Sequence, residues 1–257
     1  MLLSVVIPAR DEAGNINIIL RSLREVLTRE NIAYEVIVVD DASTDDTAEI
    51  VREIQAVDPC VRLISNTGRH GFGMAVRAGL GVVRGDAIAV MMADSSDDPE
   101  DLVRYFRTMQ KDRVDCVFGS RFIRGSRVVD YPSHKLLLNR MANLFIRLLF
   151  GFPFNDTTNA FKLYSRNALT GLEPLIAPHF NLTVEMPLKA LVRGYSYSVV
   201  PISWTNRKVG VSKLKIKEMG SRYLFIVLYL WFEKHLARGD YNRHHHEIAD
   251  RAAQPHA

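Results

Sequence analysis

Short apolar runs of strand length recur along the first hundred residues of the chain, at 2–8, 34–39, 61–65 and 88–92. Runs of this kind are typical of strands buried on both faces of a parallel sheet. Between the first two, apolar residues recur near helical spacing: Ile16, Ile19, Leu20, Leu23, Val26 and Leu27. Asp11 or Asn15 would cap that helix, and a second helix is predicted at about 48–56. This alternation predicts βαβ units, and therefore an α/β fold with a mostly parallel sheet.

Polar side chains gather where two of these runs end. Asp40 and Asp41 follow the second run, and a stretch with three carboxylates and two hydroxyls, 93–98, follows the fourth. Pro99 then opens a predicted helix. Open α/β sheets bind ligands outside the carboxyl ends of their strands, and hard oxygen ligands suit Mg²⁺ or Mn²⁺ carried with a diphosphate. The alternative is that these residues only cap the following helices.

A dinucleotide-binding fold shares this rhythm of strands and helices, but it needs a glycine-rich turn directly after the first strand. Here the first run is followed by Pro8, Ala9 and a charged stretch at 10–12. The similar glycine-rich string, 68–73, follows the third run instead. The sequence therefore argues against dinucleotide binding.

Composition narrows the class further. The 257 residues are 47% hydrophobic, enough for one domain or one domain with an appendage. A net charge of +4 gives no reason to expect a nucleic-acid partner, although basic residues concentrate at 121–147 and 207–222, away from the carboxylates. Two distant cysteines, and an N-terminus without a basic leader, predict a cytoplasmic protein.

Five short motifs occur in the order typical of one enzyme family. Residues 7–12 resemble its I-P-x-x-N-E opening, with Asp11 in place of asparagine. Its other motifs are matched at 38–47 (V-D-D-x-S-x-D-x-T), 71–75 (glycine loop), 117–122 (G-S-R-[YF]) and 206–213 (R-x-x-G-x-S-K). Over roughly residues 3–217 the chain resembles the family 2 glycosyltransferases. Within them it resembles the branch of dolichol-phosphate mannose synthase and the bacterial polyprenyl-phosphate glycosyltransferases.

This resemblance implies a GT-A type fold, a Rossmann-like and mostly parallel sheet flanked by helices, and it implies roles for individual residues. The nucleotide would contact Pro8, Ala9, Glu12, Asp41, Gly71, Ala93 and Asp94. Asp94 and Ser96 would bind Mg²⁺ or Mn²⁺, and the catalytic residues would be Asp94, Arg121 and Arg207. The acceptor phosphate and lipid would contact Arg121, Lys135, Arg140, Arg207, Ser212 and Lys213. Gly71 and Gly73 would either let the backbone approach the donor closely or form a plain turn.

There are three further candidates, two of which have structural alternatives. Asp40 would contact the nucleotide or cap the next helix. Asp97 would be a second metal ligand. Glu185 would orient the sugar or Arg207, or be a buried structural partner.

One position departs from the family pattern. The first aspartate of its D-x-D motif is replaced by Met92, so that Asp94 alone remains of the pair. A single carboxylate with a substrate diphosphate is enough for Mg²⁺, which keeps several of its waters. The departure leaves three alternatives open: weaker metal binding, an unusual metal, or an inactive relative.

The reaction that the resemblance implies is transfer of a hexose, with inversion, from a nucleotide sugar to a polyprenyl or dolichyl monophosphate. GDP-mannose is the expected donor, and UDP-glucose and UDP-N-acetylglucosamine are the alternatives. Two other classes stay open: a membrane-associated pseudoenzyme, and a transferase whose acceptor is a soluble glycan or protein.

Two apolar stretches with basic flanks, at 136–150 and 223–232, suit helices that lie in a membrane interface. Ten residues, the length of the second run, are too few to span a bilayer. We therefore expect a catalytic domain at 1–217, a membrane-surface or oligomerisation helix at 218–240, and a disordered tail at 241–257. The expected location is the inner face of the membrane, with a homodimer or a membrane protein as an alternative partner.

Overall fold

The computed structural model describes residues 1–206 and 216–243 and contains a seven-stranded sheet. Its strands are β1 (Leu3–Ala9), β2 (Tyr34–Asp40), β3 (Val61–Ser65), β4 (Ala87–Val90), β5 (Cys116–Ser120), β7 (Lys162–Ser165) and β8 (Tyr197–Pro201). Their order is β3–β2–β1–β4–β7–β5–β8. β7 runs antiparallel to both of its neighbours, and the other pairs are parallel. The short strands β6 (Arg127–Val129) and β9 (Ser203–Thr205) form a separate parallel pair.

Helices cover both faces of the sheet. One layer contains α1 (Ile16–Arg29), α2 (Thr47–Val57) and α4 (Pro99–Asp112); the other contains α3 (Phe72–Leu80), α5 (Ser133–Phe150), α6 (Arg166–Gly171), α7 (Leu182–Val192) and α8 (Ile216–Leu236). Alternation along β1 divides the core: Val5 and Ile7 pack under the first layer, whereas Val6 packs with Ala75 of α3. This arrangement confirms the predicted α/β fold.

The elements predicted within the first hundred residues agree with the structure to within a residue or two, whereas the helix predicted at 218–240 is α8, Ile216–Leu236. All six apolar residues predicted for the inner face of α1 are buried. Asn15 precedes α1, but its side chain makes no capping bond and donates to Glu12 instead. β4 is shorter than the predicted run because its pairing with β1 ends at Val90, and Met92 lies in the following loop. As predicted, Pro99 is the first residue of α4.

Helices α5 and α8 lie in the same layer, and each has an apolar face that residues 1–206 and 216–243 leave exposed. On α5 the exposed apolar side chains are Leu137, Leu138, Met141, Leu144, Phe145 and Leu148. On α8 they are Leu224, Phe225, Leu228, Phe232 and Leu236, opposite the buried Ile226, Val227 and Leu230. We call these eleven residues the apolar outer face. In the part of the chain that the structure describes, no helix has the length and apolarity to cross a bilayer.

Beyond α8 the chain continues against the body of the protein as far as Arg243. Its guanidinium pairs with Asp115 at 2.7 Å, and its backbone N–H donates to Arg193 O. These residues were expected to belong to a disordered tail. The rest of that predicted tail, 244–257, lies outside the described residues.

Candidate active site

The predicted site residues meet along one edge of the sheet. Pro8, Ala9 and Glu12 are at or after the end of β1; Asp40 and Asp41 are at the end of β2; Ala93, Asp94, Ser96 and Asp97 follow β4; and Arg121 follows β5. These four strands are parallel, so their carboxyl ends lie at the same edge. The strand order reverses between β1 and β4, which is where open α/β sheets bind ligands.

Side chains of the loop after β2 bind the backbone of the loop after β1. The Glu12 N–H donates to Thr47 Oγ1 at 2.8 Å, and the Ala13 N–H donates to Asp45 Oδ2 at 3.0 Å. In the other direction, Asp11 Oδ1 accepts from the Thr44 N–H at 2.7 Å. The hydroxyls and carboxylates of the 38–47 motif therefore hold the two loops together. They place Pro8–Glu12 beside Asp41.

Asp41 is buried and is bonded to the loop that follows β3. Its Oδ1 accepts from Asn66 Nδ2 at 2.7 Å and lies 3.1 Å from His70 Nδ1, and its Oδ2 accepts from the Gly71 N–H at 2.8 Å. The same carboxylate that is predicted to contact the nucleotide thus holds the loop after β3 in place. Asp40 Oδ1 accepts from the Ser43 N–H at 3.2 Å, which is a local turn bond.

The glycines of the glycine loop lie directly against another segment of the protein's own backbone. Gly71 has a φ of +138°, and a Cβ there would lie 2.7 Å from Pro178 O. At Gly73 a Cβ would lie 2.3 Å from Ala177 O. Both positions need glycine because the backbone at 177–179 packs directly on this loop. The structure thus gives both glycines a packing role within the protein, and the approach of the donor to this loop stays a prediction.

Glu185 has the structural role that was its alternative. It is fully buried on α7, and its two oxygens accept from the N–H groups of Ile176 (2.8 Å) and Ala177 (2.7 Å). Lys189 Nζ balances its charge at 2.7 Å. Because both oxygens accept from backbone N–H groups, these contacts support the structural alternative for Glu185. It supports the segment that packs on the glycine loop.

The loop after β4 brings together two buried carboxylates. Asp94 Oδ1 accepts from the Ser96 N–H at 3.1 Å, and Asp97 Oδ2 accepts from the Met92 N–H at 3.3 Å. Asp97 is therefore bonded to Met92, the residue that replaces the first aspartate of the D-x-D motif. Burial, with the neighbouring charge of Asp94, raises the pKa of Asp97 to about 7.

This donor set fits a hard divalent cation. Two buried carboxylates carry like charges that repel each other, and a cation between them would stabilise both. Their oxygens are of the type that Mg²⁺ and Mn²⁺ prefer. Among residues 1–206 and 216–243, no group of three or more acidic, histidine or cysteine side chains is arranged to hold a metal. The protein would thus supply few ligands, and a substrate diphosphate would supply the others.

Arg121 is held by a carboxylate that sequence reasoning did not assign to it. Its Nε and Nη2 donate to Asp156 at 2.8 and 2.7 Å, and its backbone N–H donates to the same carboxylate at 2.9 Å. Burial disfavours the charged guanidinium, but the charge and hydrogen bonds of Asp156 outweigh it and raise the pKa of Arg121 above its ordinary value. Arg121 was expected to contact the acceptor phosphate, and two of its three guanidinium nitrogens are bonded to Asp156 instead.

Lys162 is a second buried cation beside this pair. It begins β7 between the ends of β4 and β5, and its Nζ donates to Thr157 O at 3.0 Å. Burial, reinforced by the charge of Arg121, lowers its pKa to about 7, although Asp156 acts in the opposite direction.

Replacing Lys162 with methionine is expected to change how stability depends on pH. The unfolded chain keeps this proton up to the ordinary pKa of 10.5, whereas the folded chain releases it near 7. In that window the unfolded state binds more protons, so the free energy of unfolding of the wild type rises with pH. The variant lacks this contribution. Urea unfolding at intervals from pH 7 to 10 measures it, and parallel curves for the two proteins would contradict it.

An apolar cavity of about 480 Å³ opens beside Arg121, between α5, α7 and α8. Arg121, Tyr131 and Lys135 supply polar groups to its lining, and the remaining wall includes Leu138, Phe145, Ile146, Val184, Leu224 and Val227. Arg140 is exposed, with its guanidinium 4.7 Å from the Phe122 ring centre. The predicted acceptor residues Arg207, Ser212 and Lys213 lie outside the described residues.

Comparison with known proteins identifies the family. The sequence profile of Glycosyl transferase family 2 matches residues 4–172, more than half of the chain. The chain is a family 2 glycosyltransferase. It is 32% identical over 216 residues to the polyprenol monophosphomannose synthase of Mycolicibacterium smegmatis, covering 82% of this chain and 80% of that protein. It is 29% identical over 219 residues to the undecaprenyl-phosphate mannosyltransferase of Micrococcus luteus, covering 83% and 88%.

Solved structures confirm the GT-A type fold of this glycosyltransferase. Glucosyl-3-phosphoglycerate synthase from Mycobacterium tuberculosis, in complex with Mn²⁺, UDP-glucose and phosphoglyceric acid, superposes with a TM-score of 0.69 at 20% identity. The match covers 90% of this chain and 79% of that one. The same enzyme with Mg²⁺ and UDP gives a TM-score of 0.66 at 22% identity, covering 89% and 79%.

Proposed function

We propose that this glycosyltransferase transfers mannose, with inversion, from a nucleotide sugar to a polyprenyl monophosphate, and that GDP-mannose is its donor. The observation that carries the proposal is the apolar cavity whose lining includes Arg121 and Lys135. Such a cavity suits a prenyl chain with its phosphate at the basic residues. The two curated relatives, both named for mannose transfer to such lipids, support the same acceptor class.

The proposed reaction requires little acid–base catalysis from the protein. An oxygen of the acceptor phosphate attacks the anomeric carbon, the bond from that carbon to the diphosphate oxygen breaks, and the electron pair leaves with the nucleoside diphosphate. The phosphate is already an anion near neutral pH, so that no general base is required. Positioning two anions that repel each other is the main task, and Arg121 and Lys135 would hold the acceptor.

Mg²⁺ or Mn²⁺, held by Asp94 with Asp97 or Ser96, would neutralise the charge that develops on the leaving diphosphate. Asp41 and the loop that it holds would form the wall of the nucleotide pocket. Pro8, Ala9, Glu12 and Ala93 would line the rest, because β1 and β4 end at the same edge of the sheet as β2.

We also propose that the apolar outer face lies on the inner surface of the membrane. α5 carries Lys135, Arg140 and Arg147 and no acidic residue, which suits an interface rich in anionic lipid. The cavity lies between the two helices that carry the apolar outer face, so a prenyl chain would reach the bilayer between them. A homodimer seam is the alternative partner for this face.

Leu148→Glu is expected to weaken binding to vesicles that contain anionic lipid by tenfold or more. Leu148 is 77% exposed on the apolar outer face, and a carboxylate there would face the bilayer. Val57→Glu is the matched control, because Val57 is 73% exposed in the opposite helix layer. Co-sedimentation with vesicles measures binding. Equal effects of the two substitutions would contradict the assignment of this face to the membrane.

A panel of donors and acceptors tests the proposed reaction. GDP-mannose, UDP-glucose and UDP-N-acetylglucosamine are each incubated with a short polyprenyl phosphate, in Mg²⁺ or Mn²⁺, and the glycolipid is scored by mass. A parallel arm offers 3-phosphoglycerate as a soluble acceptor. A mannosyl lipid from GDP-mannose is the expected product. A product with 3-phosphoglycerate alone, or nucleotide binding without any product, would overturn the proposal.

A further inference from the structure

Arg121 lines the cavity, yet its guanidinium is held tightly by a buried carboxylate, that of Asp156. Asp156 is fully buried, and it receives two guanidinium nitrogens and one backbone N–H of the same arginine. A bidentate pair of this kind fixes the plane of the guanidinium as well as its position. Arg121 nevertheless lines the cavity. Its Nη1 is the guanidinium nitrogen that this grip does not use.

The segment that carries Asp156 is itself held by the inner face of α5. The Thr157 N–H donates to Asn143 Oδ1 at 2.6 Å, and Asn139 Nδ2 donates to Thr158 Oγ1 at 3.0 Å. From the sheet side, Lys162 Nζ donates to Thr157 O. Asp156 therefore lies between α5, which lines the cavity, and the start of β7.

Stability alone gives a weak reason for this arrangement. Removing two charges from water costs about as much as their attraction returns, and apolar residues of similar volume often stabilise a core as well. A free arginine side chain, by contrast, loses considerable rotamer freedom when it captures an anion. Fixing the guanidinium in advance removes that cost from the binding step.

We propose that Asp156 is a positioning residue that aims Arg121 into the cavity and thereby fixes where the acceptor phosphate is bound. Asn143 helps by anchoring the backbone of Thr157 to α5. This inference rests on the proposed function, since it assigns the anion at Arg121 to the phosphate of the lipid acceptor. It predicts that Asp156 acts on the acceptor and leaves the donor unaffected.

Steady-state kinetics of Asp156→Asn and Asp156→Glu, with a short polyprenyl phosphate and the active donor, test the proposal. We expect KM for the lipid phosphate to rise about tenfold or more and KM for the nucleotide sugar to stay within about twofold. Asp115→Asn is the matched control, because Asp115 pairs with Arg243 at the opposite end of β5. A purely structural role would instead lower the amount of active enzyme and leave both KM values unchanged.

A double-mutant cycle adds a second test. If Asp156 acts through Arg121, Arg121→Lys combined with Asp156→Asn raises the acceptor KM no further than Arg121→Lys alone. Should the Asp156 variants fail to fold, Asn143→Ala decides, with a smaller rise in the same KM expected. Unchanged acceptor KM in the folded variants would overturn the inference. Absence of lipid product with the wild type would overturn the proposed function instead.

Discussion

Replacing Asp94 with alanine is expected to lower kcat for sugar transfer by about a hundred- to a thousandfold. Asp94 is buried at the end of β4, in the loop that also buries Asp97. Without Asp94 the loop loses the carboxylate that we propose holds a cation against the leaving diphosphate. The nucleotide itself should still bind, since Asp41 and the bonded loops after β1 and β2 are untouched. Turnover at saturating donor, together with calorimetry of nucleotide binding, measures both effects.

Asp98→Asn is the matched control for this substitution. Asp98 lies in the same loop, but its side chain caps α4 by accepting from the Glu100 N–H, and asparagine caps a helix equally well. We expect its kcat to stay within about twofold of the wild type. If Asp94→Ala retained full turnover, the proposal that this loop holds a metal would be wrong. Met92, at the position of the first D-x-D aspartate, would then have no bearing on metal binding.

The elements of the fold could be predicted from the sequence because their signals are local. The run at 61–65 became β3 without change, and the six apolar positions of α1 are all buried. The gathering of carboxylates also followed, since the ends of parallel strands meet at one edge of a sheet. The location of Asp94 and Asp97 at this edge could therefore be predicted from the sequence.

The corrected residues are those whose partners are distant in the chain. Arg121 looked like a free phosphate ligand because nothing near it in sequence reveals that Asp156 takes its Nε and Nη2. The buried Lys162 and the amides of Asn139 and Asn143 form part of the same region. Residues 156–162 have the sequence D-T-T-N-A-F-K, which does not reveal which side chains these residues contact.

A series of contacts links α7 to Asp41. Glu185 binds the N–H groups of Ile176 and Ala177, and the carbonyl of Ala177 lies over Gly73. Two residues earlier, the Gly71 N–H donates to Asp41. Glu185, which was first considered for sugar binding, therefore stands at the start of this series of contacts. Through the glycine loop, the contacts reach Asp41, the carboxylate predicted to contact the nucleotide.

Gly73→Ala is expected to weaken both the fold and nucleotide binding. The added Cβ would lie 2.3 Å from Ala177 O and 2.8 Å from Pro178 C, and neither backbone atom can rotate away. Overpacking of this kind costs about 1–3 kcal/mol of unfolding free energy. The shift would also move the Gly71 N–H relative to Asp41, so we expect nucleotide affinity to fall about tenfold, equivalent to roughly 1.4 kcal/mol. Urea unfolding and calorimetry measure the two effects.

Gly81→Ala, at the other end of α3, is the matched control and should act with the opposite sign. Gly81 has right-handed helical backbone angles, and its Cβ would meet the Ala78 carbonyl at an ordinary 3.5 Å. Alanine there restricts the unfolded chain without strain and is expected to stabilise the protein by about 0.4–1 kcal/mol. If Gly73→Ala were as stable as the wild type but lost nucleotide binding, the glycine would serve the approach of the donor after all, and the close packing at Ala177 would not be the reason for it.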